Sequence, residues 1–150
     1  MASLELSRRA ACLETARRLI DWMASRIRYT AAPVQEIVIE AAGEPEFSRL
    51  SFLGEAASRM QAGDSPGQAW NSALAHFAAG GLKDADKGLL CSFGRGLGCS
   101  DLDGQISHCE SFESLLAGRV ESARAQADSK GKLYITLGAA GGLCAALLLL

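Results

Sequence analysis

Three places in this 150-residue chain hold residue types that could do chemistry. Gly94-x-Gly96-x-Gly98 has the glycine density of a phosphate-cradling loop. A dinucleotide fingerprint needs GxGxxG after a strand, and a Walker loop ends in Gly-Lys-Ser or Gly-Lys-Thr; neither is present. His108-Cys109, with Cys99 and Cys91, supplies zinc-type ligands. Their spacing matches no zinc pattern, and adjacent residues on a helix point in different directions. Ser107-His108 puts a hydroxyl beside an imidazole, but neighbours in sequence do not easily reach the nucleophile–base geometry. His76 stands alone on an Ala-rich stretch and reads as a surface or capping histidine. The carboxylates are scattered as helix caps and solvent-face charges. No catalytic residue, cofactor or metal is expected.

The five cysteines, Cys12, Cys91, Cys99, Cys109 and Cys144, include no CxxC pair. An odd number does not close a disulfide framework, so they read as small buried hydrophobes in a reducing compartment. Hydrophobic residues make up 49% of the chain and charged ones 21%, which excludes disorder. A net charge of −2 lacks the basic footprint of a nucleic-acid binder. Three prolines, 6% aromatics and abundant Ala and Leu favour helices over a β-sandwich.

The pattern predicts an all-α bundle of about six helices. Leu6, Leu13, Ile20 and Ile27 recur every seven residues, with Ala16 and Met23 on the second seam position. This predicts a helix from about Leu4 to Tyr29 with a coiled-coil-like face. Six arginines, mostly off the seam, give residues 1–29 a solvated face of net charge +3. Thr30 is expected to cap the next helix, with Pro33 in its first turn and Val34, Ile37 and Val38 inward. Val34 to Ile39 is the sole strand candidate, and its neighbours favour helix. A third helix is expected from Phe47 to Ala62, with Phe47, Leu50, Leu53, Gly54, Ala57 and Met60 inward. Gly63-Asp64-Ser65-Pro66 stops it and starts the next, Ser65 capping and Pro66 at the first position. That fourth helix turns Trp70, Ala73, Leu74 and Phe77 inward. A fifth runs from about Lys83 to Phe93, and three glycines then make a flexible corner. Ser100, with Asp103 as its capping-box partner, opens a long last helix carrying Leu102, Ile106, Cys109, Phe112, Leu116, Val120, Ala123 and Ala127.

This last helix is expected to run on into a membrane. Leu133 to Leu150 reads LYITLGAAGGLCAALLLL, without charge, Asn, Gln or Pro. As a helix it spans about 27 Å, close to the ~30 Å hydrocarbon core. Its leucines and Ile135 contribute about −2.5 to −5 kcal/mol to insertion, a gain reduced by the glycines and Thr136. Lys130 and Lys132 flank the run, so residues 1–132 are expected to form a cytoplasmic bundle and residues 133–150 a single carboxy-terminal span. Tyr134 lies at the interface position. Gly138 and Gly142 form a GxxxG spacing suited to close helix contact, and hence to a homo-oligomer.

The corner carries a specific pattern, Phe93-Gly94-x-x-Leu97-Gly98-x-x-Asp101-x-x-x-Gln105. With the long helix, the apolar ending, Tyr29-Thr30…Pro33 and Ala69-Trp70, it resembles the stage III sporulation protein AB family over roughly Leu13 to Leu150. Members are similar to cytoplasmic domains of F-type platform proteins of type II secretion and type IV pilus systems. The resemblance implies a helical-bundle domain on the mother-cell membrane, within the channel complex linking mother cell and forespore. It further implies a secretion-type ATPase, stage III sporulation protein AA, as cytoplasmic partner, beside other channel proteins. The family also carries an amino-terminal membrane helix before the basic helix; the stretch MASLELSRR departs from that pattern.

Without a catalytic constellation, the expected function is that of a non-catalytic assembly platform; the alternative is a tail-anchored adaptor or regulator unrelated to sporulation. Residues 30–100 hold five basic and eight acidic residues. Glu44, Glu46 and Glu55 are the candidate contacts of an acidic face for a basic partner surface. The full-length chain is expected to fractionate with membranes, and truncation after Lys132 to release it. A full-length chain recovered in the soluble fraction would overturn the membrane reading.

Overall fold

The computed structural model describes the backbone of residues 2–78 and 81–149 and the side chains of residues 4–78 and 81–129. The described residues form six α-helices and no strand: α1 (Ala2–Thr30), α2 (Val34–Ala42), α3 (Phe52–Gln61), α4 (Pro66–Ala75), α5 (Asp84–Arg95) and α6 (Leu102–Leu149). A 3-10 turn, Pro45–Phe47, lies between α2 and α3. At about 1.5 Å per residue, the 48 residues of α6 make a rod of about 72 Å. Lys130, Lys132, Gly138, Gly142 and the run from Leu133 lie outside the described side chains. Among the described residues, no helix is long and apolar enough to cross a membrane.

The seam of α1 is buried as its spacing predicts: Leu13, Ala16, Ile20, Met23 and Ile27 are all at most 2% exposed. Cys109, Leu116, Val120 and Ala123 of α6 are buried with them. The two helices run antiparallel, because rising positions on α1 meet falling positions on α6. Arg9 bonds Gln126, Arg17 bonds Glu113 and Arg28 bonds Glu110. The shorter helices pack in sequence, α2 on α3, α3 on α4 and α4 on α5. A chain of aromatic contacts joins four elements: Phe52 with Trp70, Trp70 with Phe93 and Phe93 with Phe112, centroids 5.0 to 5.6 Å apart. Each such pair contributes about 0.5–1.5 kcal/mol beyond burial. Trp70 is fully buried, and its indole N–H donates to the Leu90 carbonyl at 3.0 Å.

Several boundaries differ from the sequence expectation. Thr30 does not cap α2: it ends α1, its hydroxyl donating to the Arg26 carbonyl and accepting the Ala32 N–H. Ala31 takes φ 53°, a left-handed residue that stops the helix, and Pro33 stands before α2 rather than inside it. The expected Phe47–Ala62 helix is split. Phe47 and Leu50 are buried from the turn, and α3 starts only at Phe52, with Gly54 facing solvent. Asp101, not Ser100, caps α6: its carboxylate accepts the Gly104 N–H at 2.8 Å. The Ser100 hydroxyl is occupied instead by Gln105. Leu102 is 46% exposed and so does not belong to the core.

The largest departure is a buried ion cluster. Asp86, in the first turn of α5, is 0% exposed. It accepts from Arg9 at 2.7 and 3.0 Å, from Arg119 at 3.1 Å and from the Lys83 N–H at 2.9 Å. One carboxylate thereby ties α1, α5 and α6. Burial alone would raise its pKa, but the Arg9 hydrogen bonds, the Lys83 amide and Arg119 outweigh burial and hold it below the ordinary 3.8. Because the folded value is the lower one, this contribution to stability is complete above pH ~4 and is lost as pH falls through the folded value. Asp86→Asn leaves two guanidinium groups without their counter-charge. It is expected to cost about 3 kcal/mol or more in denaturant unfolding, and to flatten the loss of stability below pH 4. An unchanged unfolding midpoint would show that the cluster does not hold the helices.

Candidate functional site

The six residues of the corner pattern are brought together between α5 and α6, and each has a physical role. Phe93 is fully buried and stacks on the His108 ring, with centroids 5.1 Å apart and planes 10° apart. His108 Nε2 also bonds the Phe93 carbonyl at 2.7 Å, which uses the histidine considered as a ligand or base. Gly94 is still helical, so it is not a point of flexibility. A Cβ there would overlap Trp70 and Asn71, so glycine lets α4 close onto α5. The approach is mutual, since a Cβ on Gly67 would lie 2.8 Å from the Gly94 carbonyl oxygen. Leu97 is buried beneath the turn.

Gly98 makes the reversal. Its φ of 75° is the left-handed conformation that side chains resist, and Pro66 packs beside it. Gln105, 3% exposed, braces the reversal from one turn into α6. Its Oε1 accepts the Gly98 N–H at 3.2 Å, and its Nε2 donates to the Gly96 carbonyl at 3.1 Å and to Ser100 at 2.9 Å. Asp101 caps the new helix. The arrangement satisfies the polar groups of the turn and sets the direction of α6.

The acidic candidates are not assembled into one cluster. Glu44 precedes the 3-10 turn, and Glu46 lies 4.0 Å from Arg18 of α1. Glu55 accepts from Arg59 at 3.0 Å and bonds His76 Nδ1 at 3.0 Å, and these partners lower its pKa. Cys12 and Cys109 are fully buried, and burial pushes their thiols up to about 11 and about 12, out of the nucleophilic range. Cys91 is half-buried and Cys99 exposed, and neither forms a disulfide. Among the described residues, no group of three or more His, Cys, Asp or Glu is placed to hold a metal.

The profile of the stage III sporulation protein AB family matches residues 1–150, the whole chain. The chain belongs to that family. No curated protein and no solved structure gives a significant match. The resemblance carried by the corner is thus supported across the full length, and a stage III sporulation protein of this family is all-helical over its described residues.

Sequence reasoning missed Asp86 and its arginines. A signal existed: Arg9 sits three residues after Leu6, on the second seam position later filled by Ala16 and Met23. An arginine on a buried seam needs a carboxylate partner. Which carboxylate supplies it is a matter of tertiary structure.

Gly98→Val forces a β-branched residue into the left-handed region and against Pro66. It is expected to lower stability by about 2 kcal/mol, read as a drop in melting temperature. Gln105→Ala, which strands the Gly98 N–H and the Gly96 carbonyl, is expected to cost about 1–3 kcal/mol. Unchanged melting of both variants would remove the corner from the structural account.

Proposed function

We propose that this stage III sporulation protein is a non-catalytic membrane platform of the complex joining mother cell and forespore, and that its bundle docks a secretion-type ATPase, stage III sporulation protein AA. The observation that carries this reading is the continuity of α6. One helix leaves the braced corner, forms the long side of the bundle and continues through residue 149, where the sequence is an unbroken apolar run. A force applied to the bundle then passes along a stiff helix rather than a flexible linker. On this reading residues 1–132 are cytoplasmic, residues 133–150 span the mother-cell membrane, Lys130 and Lys132 stay on the cytoplasmic side, and Gly138 and Gly142 allow close packing of a second span.

The acidic excess of residues 30–100 supports a polar contact with a basic partner. Glu44 precedes the 3-10 turn, Glu46 lies within it, and Glu55 follows one turn into α3. Reversing all three to Lys is expected to weaken capture of the ATPase by the full-length protein in detergent, with the difference shrinking as salt rises. The ion pairs of Glu55 are partly exposed, so the triple variant should keep nearly its full melting temperature. Capture unchanged by the reversal, or no ATPase among the proteins captured, would remove this contact.

A further inference from the structure

A shallow groove of about 550 Å³ lies between α1, α6 and the turn before α3. It is lined by small side chains, Ala10, Ala11 and Ala127, and by three arginines from three segments: Arg18 of α1, Arg49 between the 3-10 turn and α3, and Arg124 of α6. Most arginines of the bundle hold a carboxylate: Arg9, Arg17, Arg26, Arg28, Arg59 and Arg119 all do. Of the five that remain, the groove gathers three, while Arg8 and Arg95 lie elsewhere. Among the described residues Arg49 and Arg124 form no ion pair and no side-chain hydrogen bond, and Arg18 has only Glu46 at 4.0 Å. Two acids also line the groove. Glu14 is already gripped by Arg17 at 2.6 and 2.8 Å, and Asp128 stands on α6 four residues beyond Arg124. The Glu14 pKa is lowered by Arg17 first, with the fields of Arg124 and Arg18 adding to it.

From this convergence we infer that the groove is a docking site for an acidic peptide segment of a partner protein. The chemistry is carboxylate recognition by guanidinium forks, which bind both oxygens of Asp or Glu. From Ser7 to Arg18 the groove follows about 16 Å of helix, the length of about five extended residues. That shape suits a strand carrying two or three carboxylates better than a single small anion. A lipid headgroup fits less well on the membrane reading above. Arg124 lies nine residues, about 13 Å, before Leu133, whereas the headgroup layer is only about 5–7 Å deep. Side chains of α6 also lean toward its amino-terminal end, away from that run. The site adjoins the acidic face proposed for the ATPase, Arg18 lying 4.0 Å from Glu46, but is of opposite sign and is tested with a different ligand, so either can fail without the other.

The test is fluorescence anisotropy of a labelled hexaglutamate peptide with the full chain in uncharged detergent at low salt. Binding is expected, weakening as salt rises. Arg18→Gln with Arg49→Gln and Arg124→Gln should weaken it about tenfold. A control triple of equal charge loss, Arg8→Gln with Arg28→Gln and Arg95→Gln, should bind like the unmodified chain. Arg49→Gln alone, on an exposed turn, guards against misfolding and should still weaken binding, by about threefold. The inference is overturned by no binding, or by equal loss in both triples. It is also overturned if inorganic phosphate or phosphatidylglycerol competes as well as unlabelled peptide in a groove-dependent way, which would make the ligand a phosphate.

Discussion

Asp86 has no water to solvate its charge, so protein groups must balance it. Two guanidinium groups and one backbone N–H do so, and they come from α1, α6 and the residue before α5. The requirement is strict because a buried carboxylate without partners is far more costly than an apolar residue of the same size. Sliding α1 against α6 by one turn would carry Arg9 and Arg119 to different heights and leave the charge unmatched. The cluster therefore adds what hydrophobic seams lack, a single permitted register for the long pair and a fixed starting point for α5.

From that point α5 runs back along the bundle to the corner. There the polypeptide must reverse within a few residues and begin a rod of 48 residues aimed along α1. Trp70 lies on Gly94, Gln105 holds the amide and carbonyl of the turn, and Gly98 supplies the left-handed step. Each has a counterpart in the turn, and together these residues build the joint between α5 and α6. On the platform reading proposed above, rigidity at this joint matters. Motion at the bundle reaches the far end of α6 only if the first turn of the helix cannot hinge.

The surface divides by charge in a way the net value of −2 conceals. Most arginines are absorbed by ion pairs across α1, α6 and the short helices. Three of the remaining arginines line a groove on one side of the 3-10 turn, and acidic residues lie around the turn itself. On the assembly reading proposed above, opposite patches close together would orient two partners of different charge and oppose the reversed arrangement.

The all-helical class, the heptad seam of α1, the Ser65-Pro66 start of α4 and a glycine corner before the last helix were legible in the sequence. These depend on local physics: apolar periodicity, the missing N–H of proline and the freedom of glycine at positive φ. The corner was legible as a family pattern for the same reason, since turn chemistry is written in adjacent residues. Other features were not. Thr30 looked like a cap for the next helix, because a hydroxyl before Pro33 can serve either neighbour, and the left-handed Ala31 decided between them. Ser100 and Asp101 were both competent caps, and Gln105 reaching back from α6 took the first and left the second. Phe47 and Leu50 had helical spacing, yet they reach the core from a turn. Asp86 looked like an ordinary first-turn acid, and Arg9 like one solvated charge among six. Long-range pairing alone made them a buried ion cluster, because burial and partnership belong to positions 77 residues apart that no local pattern relates.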